Sequence, residues 1–463
     1  MTTIAEELAA WALGVRAERV PPEVRRAAAR HLLDALGNAV AGARAGAADA
    51  AVRTASAMGP GDALVIGHPG RVSRSAAALA NGVLIHALDF DDTHAGGLVH
   101  ASAPVVPVVL AEGGEVSGAE ALTALAIGLE TICRLGAAAP HGFHAVGLHA
   151  TAACGVFAAA LTAARLRGLT VDETVNALGI AGSRASGLLE FLNTGSSTKQ
   201  LHPGFAASDG LTAAALAAAG ATGPSTVFEG EYGLYRALAR RDADRPAILD
   251  SLGERWEATR ITVKPYPACQ LMHAQLDAAH KARAELGAVE DVRGIDEVVV
   301  EAHPDAASIV CAPGKETPRS AYDAKFSLPW SVAAMLLDGQ VTVATYDRID
   351  RPEVLALAAR VRTEVVDFGG VAADQPGRIR VRTASGTTVS AEVPRSGGGP
   401  DDPDLDRLVS AKALGNLGPG GEEIVAAALG LADAPSTAAL LGALSLSARG
   451  GISTFKGSDH DEL

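Results

Sequence analysis

The chain has 463 residues, of which 48% are hydrophobic and 20% are charged, and its formal net charge is −14. This length allows two or three globular domains, and the acidic charge argues against nucleic acid or an anionic membrane surface as a partner. We also predict no transmembrane segment and a cytoplasmic location, because no apolar run reaches about 18 residues, the N-terminus lacks a basic signal region, and the four cysteines form no C-x-x-C pair.

The first 260 residues predict helices that are joined by short loops. Apolar residues recur at helical spacing from Glu23 to about Ala43, directly after Pro21 and Pro22, which mark the start of a helix. The same spacing predicts further helices at Ser73–Ala87, Ala119–Leu135, Thr151–Leu166, Val171–Ala181 and Ala206–Ala219.

The pattern becomes mixed α/β after residue 260. Alternating or β-branched residues predict strands, and the last two flank Ala384-Ser-Gly as a hairpin. The predicted strands are Arg260–Lys264, Asp296–Ala302, Val361–Val366, Arg378–Thr383 and Thr387–Val393. Helical patterns lie between these strands at Leu271–Leu286 and Phe326–Leu337. Further helical patterns follow a Gly/Pro-rich linker at 396–403, and they cover Leu405–Leu414, Glu422–Leu431 and Ser436–Leu444.

These elements indicate a mainly α fold with an α+β insertion. The simplest arrangement is a large all-helical domain, built from residues 1–262 and 401–463, that carries a smaller α/β lid domain from residues 263–400. A cleft between two such domains is a common place for a ligand.

An acidic segment lies at the end of the helix that is predicted to end near Ala87. It reads His86-Ala-Leu-Asp-Phe-Asp-Asp-Thr-His94, and His100 follows shortly after it. Asp89 and Thr93 would be i,i+4 neighbours if the helix continued. Carboxylates this close cannot all ionise freely, so we expect at least one raised pKa, which suits a proton donor. Capping of a helix end by aspartates is the structural alternative.

Histidines are concentrated in the same half of the chain, since six of the thirteen lie between residues 86 and 149. His141, His144 and His149 precede an Ala-rich helix. A histidine at a helix N-terminus is disfavoured as a cation, so it stays neutral and can act as a base. Packing or metal binding are the alternatives, but no H-E-x-x-H or other tight ligand spacing occurs, and we predict no metal site.

Two further segments supply cations. Hydroxyl residues and glycine precede Lys199 in an apparent anion-binding loop that lacks Walker spacing, and His202 would share a side with Lys199 at i,i+3. Arg260 and Lys264 stand at the predicted domain boundary. A surface loop or a hinge would explain either segment alone. All four segments together favour proton abstraction beside a carboxylate, with cations that stabilise the developing charge.

At these segments the chain resembles the MmgE/PrpD family, which includes 2-methylcitrate dehydratases and cis-aconitate decarboxylases. The resemblance covers nearly the whole length and rests on the motifs Leu33-Asp-Ala-Leu-Gly37, Ala78-Leu-Ala-Asn81-Gly, His86-Ala-Leu-Asp-Phe-Asp-Asp-Thr93, Thr198-Lys-Gln-Leu-His-Pro-Gly204, Lys264-Pro-Tyr-Pro-Ala-Cys269 and Ala324-Lys-Phe-Ser-Leu-Pro329. It implies a helical domain with an α/β lid, a homodimer and no cofactor.

The resemblance also implies the residues of the active site. The positions that look like the family's site are Asp89, Thr93, His100, His149, Lys199 and Lys264, with His144 in reserve for His149. We expect further substrate contacts from His202, Arg260, Cys269, His273 and Trp330. Cys269 and Trp330 stand where cis-aconitate decarboxylases carry a His and a Tyr, which argues against that substrate. His273, one helical turn further on, could replace the lost imidazole.

The sequence therefore predicts a cofactor-free lyase for a small di- or tricarboxylate, most simply a dehydratase of a 2-methylcitrate-like 2-hydroxy acid. Lys199, Lys264 and Arg260 would bind substrate carboxylates, while His149 or His100 would move a proton at carbon.

The leaving hydroxyl would be oriented or protonated by Asp89 with Thr93. An isomerase or epimerase of the iminodisuccinate type, and a decarboxylase of a cis-aconitate type, share the same early chemistry and remain alternatives. A non-catalytic binding protein with the same fold is a more distant one.

Overall fold

A computed structural model describes residues 2–287 and 294–450. Helices dominate its first 260 residues, and their bounds are α1 Ile4–Gly14, α2 Pro22–Arg44, α3 Asp49–Ala57, α4 Arg74–His86, α5 Ser102–Glu112, α6 Gly118–Ala137, α7 Gly142–Ala145, α8 Ala150–Leu166, α9 Val171–Gly182, α10 Phe191–Thr194, α11 Thr198–Ala218, α12 Leu234–Ala239 and α13 Arg245–Leu249. A small antiparallel hairpin of β1 (Pro60–Leu64) and β2 (Arg71–Val72) lies between α3 and α4.

Small residues let the central helices approach closely. A Cβ on Gly82 of α4 would lie 2.7 Å from the Cα of Gly204 in α11, so these two helices meet backbone to backbone. Only glycine permits this approach without displacing the partner helix. The contact brings the end of α4, with His86, close to the first turn of α11, which carries Lys199.

The lid is an α/β unit. Helix α14 (His273–Leu286) packs on a four-stranded sheet of order β4-β3-β5-β6, in which β3–β4 is parallel and the other two pairs are antiparallel. The strands are β3 Ile295–Ala302, β4 Val361–Val365, β5 Gly377–Thr383 and β6 Thr388–Val393. Short helices complete this part of the chain at Pro304–Val310, Ala321–Ala324, Leu328–Asp338 and Pro352–Ala358.

Both ends of the described chain share one hydrophobic core. Leu32 and Leu36 of α2 belong to the same cluster as Val409 and Leu417, which lie on the first helix after the lid. The helices that return to this core are Leu405–Leu417, Gly421–Leu429 and Ala438–Gly450. The lid has a core of its own, centred on residues such as Leu276, Val298 and Trp330.

The fold class is confirmed: a mainly helical chain carries a small mixed sheet in its C-terminal region. The domain bounds 1–262, 263–400 and 401–463 stay a prediction. No helix in the described part of the chain combines the length and the apolar composition that crossing a bilayer requires.

Two local predictions are wrong. Arg260–Lys264 forms no strand, because residues Glu257–Arg260 coil into a 3₁₀ turn and only Thr262 pairs, in an isolated bridge to Thr93. Lys199 lies in the first turn of α11 rather than in a loop, since this helix begins at Thr198 and continues through Pro203. The hairpin β1–β2 was not predicted, because its strands are short and half exposed.

Candidate active site

A cavity of about 390 Å³ lies where the helical domain meets the lid. The helical domain supplies its floor from the loop after α4 and from the starts of α8 and α11, while the lid supplies Lys264 and the segment that follows it. The predicted site residues that line this cavity are Asp89, Thr93, His100, His149, Lys199, Lys264 and Cys269, together with the reserve residue His144.

Strained backbone is concentrated around the cavity. Five non-glycine residues of the described chain have positive φ, and three of them line the cavity: Asp89 at 52°, Leu98 at 51° and His141 at 56°. Such conformations cost energy for residues with a Cβ and often occur at functional sites. Helix α4 ends at His86, so Asp89 and Thr93 are not helical i,i+4 neighbours, and that expectation is wrong.

Asp89 is held by two buried lysines. The Lys199 Nζ donates to Oδ1 at 2.5 Å, and the Lys264 Nζ donates to the Asp89 carbonyl at 2.9 Å and lies 3.4 Å from Oδ2. Burial alone would raise the pKa of this carboxyl, but the charges of Lys199 and then Lys264 outweigh burial and lower the pKa well below its usual range. Asp89 is therefore a carboxylate at neutral pH and not the proton donor that carboxylate crowding predicted.

The other two aspartates serve neighbouring groups. Asp92 accepts from the Ser102 backbone at 3.1 Å and pairs with His31 at 2.8 Å. Burial would raise the pKa of Asp92, but His31 and Ser102 together lower it. Asp91 lies 2.9 Å from the Nδ1 of His86. Each member of the acidic triplet thus has its own partners: the two lysines for Asp89, His86 for Asp91, and His31 with Ser102 for Asp92.

The Nε2 atom of His100 faces the ammonium group of Lys199 with its lone pair. Its Nδ1 lies 3.0 Å from the Asp92 carbonyl, to which it can only donate, so the hydrogen-bond network leaves Nε2 unprotonated. Nε2 is 3.4 Å from the Nζ of Lys199. Burial, followed by the charges of Lys199 and Lys264, lowers the pKa of His100 well below 6.5. Thr93 Oγ1 stands 3.5 Å from the same imidazole.

His149 is the N-cap residue of α8, as its predicted place before the helix required. Its Nδ1 lies 3.1 Å from the Nδ1 of His202. Burial is the main cause that lowers the pKa of His149 well below 6.5, with Lys199 second. Burial also lowers the pKa of His202 and of His144 to about 4 each. His202 was expected to contact the substrate, but it contacts His149 and does not line the cavity.

Besides His202, three further predicted substrate contacts lie outside the cavity. The Arg260 side chain is 63% exposed and lies 3.6 Å from Glu257. His273 is fully buried, and its Nε2 donates to the Ala268 carbonyl at 3.0 Å. Trp330 is fully buried in the lid core, where its Nε1 donates to the Ile349 carbonyl at 3.2 Å. None of the three lines the cavity, so we leave them out of the proposed site.

Cys269 does reach the cavity. Its backbone N–H donates to the Lys325 carbonyl at 2.9 Å, and this bond ties the Lys264–Cys269 segment to the lid helices. Burial, with the charge of Asp89 second, raises the pKa of the Cys269 thiol. The side chain is therefore a neutral thiol at the cavity wall.

Sequence reasoning missed the apolar wall and one aromatic contact. Phe326 places its ring 5.0 Å from the Lys199 Nζ, and it lies within a motif quoted above. The aliphatic residues of the wall, such as Leu189 and Leu271, give no sequence signal because they look like core positions.

Among the residues that the structure describes, two groups of side chains have ligand atoms close enough to hold a metal ion. One is His86, His100 and His149, and the other is His86, Asp89, Asp91 and His100; in each group all ligand atoms lie within 4.8 Å of one another. His100 and Asp89 already face Lys199. An ion there would have to displace or share these contacts.

Two models of one protein family match the chain, and so do several known proteins. Residues 6–246 match the model of the MmgE/PrpD N-terminal domain, and residues 266–429 match that of the MmgE/PrpD C-terminal domain. This chain belongs to the MmgE/PrpD family. It is an enzyme of the lyase class, in agreement with the sequence prediction.

Relatives of this MmgE/PrpD protein include a cis-aconitate decarboxylase of Aspergillus terreus, which is 30% identical over 416 residues and covers 84% of each chain. A cis-aconitate decarboxylase-like protein of Aspergillus oryzae is 29% identical over 366 residues, or 74% of this chain and 75% of its own. The cis-aconitate decarboxylase of Homo sapiens is 31% identical over 313 residues, or 64% of this chain and 62% of its own.

Proposed function

We propose that this protein is a carboxy-lyase that decarboxylates an unsaturated tricarboxylate of the cis-aconitate type. The observation that carries the proposal is the state of Asp89, which Lys199 and Lys264 hold as a carboxylate. Dehydration of a hydroxy acid needs an acid at the leaving hydroxyl, and Asp89 lacks the proton for that role. Decarboxylation has no leaving hydroxyl and needs only cations and a proton for carbon.

The two lysines stabilise the charge that develops. The bond between the methylene carbon and the departing carboxyl carbon breaks, and carbon dioxide leaves. The electron pair moves through the C=C bond toward the carbon next to the remaining terminal carboxylate, whose negative charge grows. Ammonium groups such as those of Lys199 and Lys264, preorganised in a buried site, stabilise such charge strongly.

The imidazoles supply the proton. In the free enzyme the lysine charges lower the pKa values of His100 and His149, after burial. A bound polyanion offsets those charges, so the pKa values rise and one imidazole takes up a proton from solvent. The imidazole then transfers this proton to the carbon next to the remaining terminal carboxylate. The reaction therefore consumes one proton for each carbon dioxide released. The product from cis-aconitate is itaconate.

The relatives support this choice over dehydration, because proteins named cis-aconitate decarboxylases match this chain across 84% of its length. The argument from Trp330 against this substrate loses weight, since that residue is buried in the lid core. Of the two residues that differ from the pattern of cis-aconitate decarboxylases, Cys269 is the one that lines the cavity. A cytoplasmic homodimer, as the sequence and the resemblance imply, stays part of the proposal.

Product analysis by NMR in D₂O tests the proposal. We expect cis-aconitate to give carbon dioxide and itaconate with one deuterium on the saturated carbon, while citrate and 2-methylcitrate stay unchanged. Dehydration of either hydroxy acid without release of carbon dioxide would overturn the proposal. Deuterium exchange without a new carbon skeleton would overturn it as well, in favour of an isomerase or epimerase.

A further inference from the structure

The loop after α4 keeps Asp89 in a strained backbone conformation. Asp89 has a φ of 52°, its N–H donates to the His86 carbonyl at 3.0 Å, and its own carbonyl accepts from the Lys264 Nζ at 2.9 Å. A residue with a Cβ stays in this region only where surrounding contacts hold it there. The contacts of the next residue, Phe90, therefore bear on where the Asp89 carboxylate lies.

A third buried lysine, Lys412, binds the carbonyl of Phe90. Lys412 lies on the helix Leu405–Leu417, which follows the lid in the chain, and its side chain is only 6% exposed. Its Nζ donates to the Phe90 carbonyl at 2.6 Å and lies 3.8 Å from the centroid of the Phe90 ring. Two successive carbonyls of the loop thus accept from two lysines, that of Asp89 from Lys264 and that of Phe90 from Lys412.

Helix α2 completes the surroundings of the Phe90 carbonyl. Asn38 Nδ2 donates to this carbonyl at 3.2 Å and to the Asp34 carboxylate at 3.1 Å. Asp34 in turn lies 2.7 Å from the Lys412 Nζ, and both Asp34 and Asn38 are buried. We call Lys412, Asp34 and Asn38 the Phe90 clamp. The clamp joins α2 and the helix Leu405–Leu417 to the loop that carries Asp89.

Stability alone does not account for the ion pair in the Phe90 clamp. Burial is the largest cause that raises the pKa of Asp34 and lowers the pKa of Lys412, because it disfavours both charged forms. Buried pairs of this kind often contribute no net stability compared with apolar side chains of similar size. The contact that the charges make with the Phe90 carbonyl offers a functional reason for them.

We propose that Lys412 is a positioning residue for Asp89. With Asp34 and Asn38 it holds the backbone at Phe90, and this places the Asp89 carboxylate against Lys199 and Lys264. Lys412 does not line the cavity, so it acts through Asp89 rather than on the substrate. The inference rests on the proposed function only for the part that the two lysines of the cavity play in binding carboxylates.

Two neutral double variants test this role. Asp34→Asn with Lys412→Met removes both charges of the pair, so that neither is left buried alone, and it removes the lysine donor to Phe90. Asp34→Asn with Lys412→Gln removes the same charges but keeps an N–H donor on a side chain of similar length. The probe is tricarballylate, a tricarboxylate with no double bond to react, and its Kd is measured by calorimetry.

We expect the methionine double variant to bind tricarballylate about tenfold more weakly than the wild type, which is the effect of losing one charge-assisted hydrogen bond. The glutamine double variant should bind less than about threefold more weakly, because it keeps a donor. Urea unfolding should give the two double variants similar free energies of unfolding, so stability does not explain the difference. Equal Kd values in the two double variants would overturn the proposal.

Two single variants extend the test without changing the ion pair. Asn38→Ala removes the other donor to the Phe90 carbonyl and leaves Lys412 with Asp34, so Kd should rise about threefold. Lys281→Met replaces an exposed lysine of α14 and should leave Kd unchanged. A wild-type Kd in Asn38→Ala, or an equal rise in Lys281→Met, would contradict the positioning role.

Turnover of cis-aconitate separates this inference from the proposed function. The methionine double variant should lose kcat about 100-fold, as for a displacement of about 1 Å in the site. Full turnover by this variant overturns the positioning role and leaves the carboxy-lyase standing. A wild type that binds tricarballylate but releases no carbon dioxide overturns the proposed reaction, and the comparison of Kd values then decides the positioning role by itself.

Discussion

The imidazoles of His149 and His202 face each other with their Nδ1 atoms 3.1 Å apart. Two neutral imidazoles at this distance form a hydrogen bond only if one Nδ1 carries a proton and the other does not. His149 can therefore accept at Nδ1 and carry its proton on Nε2, or donate at Nδ1 and leave Nε2 free. The tautomer of the imidazole at the cavity is therefore coupled to the tautomer of His202.

The first prediction concerns this pair. His202→Leu removes the partner of His149, and we expect kcat to fall about 100-fold, the usual range for a disturbed acid–base group. His202→Asn keeps a polar partner and should lose less than about tenfold. KM should change little in either variant, because His202 does not line the cavity. Equal kcat values in the two variants, or a loss carried by KM alone, would contradict a positioning role.

A second prediction follows from the buried ion pair. Lys199→Met leaves Asp89 with one lysine, and loss of a buried partner costs up to about 3–5 kcal/mol in the free energy of unfolding. Asp89 still faces Lys264 in this variant, so adding Asp89→Asn leaves the buried Lys264 without a carboxylate, and the double variant should lose further stability in urea unfolding while staying inactive. A single variant that is as stable as the wild type would show that the pair contributes nothing to the fold.

The depressed histidine pKa values predict a loss of stability in mild acid. His202 and His144 have pKa values of about 4 in the folded protein, against 6.5 for an unperturbed histidine. Below pH 6.5 the unfolded chain binds protons that the folded chain does not, so the free energy of unfolding falls as the pH drops toward 4. Above pH 6.5 these groups add no pH dependence. Denaturant unfolding between pH 8 and pH 4 measures the slope, and His202→Asn should reduce it.

Substrate binding should take up protons. A polyanion that neutralises Lys199 and Lys264 raises the pKa values of His100 and His149, which these lysines help to lower. Calorimetry of tricarballylate binding in buffers of different ionisation enthalpy at pH 7 measures this directly. We expect uptake of a fraction of one proton to one proton per site. Proton release, or no linkage at all, would contradict the proposed origin of the catalytic proton.

Much of the fold could be predicted from periodicity. Helix α2 was predicted to within two residues at each end, because its buried side chains recur at helical spacing over six turns and Pro22 marks its start. The hairpin of β5 and β6 was equally clear, since alternation flanks a Gly turn. The strand predicted at Arg260–Lys264 was wrong because β-branched residues also suit the extended connection that this segment forms between domains, where only Thr262 takes part in a β-bridge.

The site was harder to predict than the fold. The sequence picked the residues that line the cavity floor, but it could not give the ionisation of Asp89, which depends on two lysines 110 and 175 positions away along the chain. Crowding with Asp91 and Asp92 predicted a raised pKa, and the distant cations reversed the sign. Arg260 and Trp330 carry suitable chemistry in suitable segments, but their side chains point to solvent and to the lid core.

The most direct test of the central claim is release of carbon dioxide from cis-aconitate by the wild type, Lys264→Met and Arg260→Ala. We predict one carbon dioxide per itaconate in the wild type, a loss of at least about 100-fold in Lys264→Met, as for removal of a preorganised charge, and activity within about twofold of the wild type in Arg260→Ala. Absence of carbon dioxide release from the wild type, or equal losses in the two variants, would contradict a carboxy-lyase whose buried lysines act on the substrate.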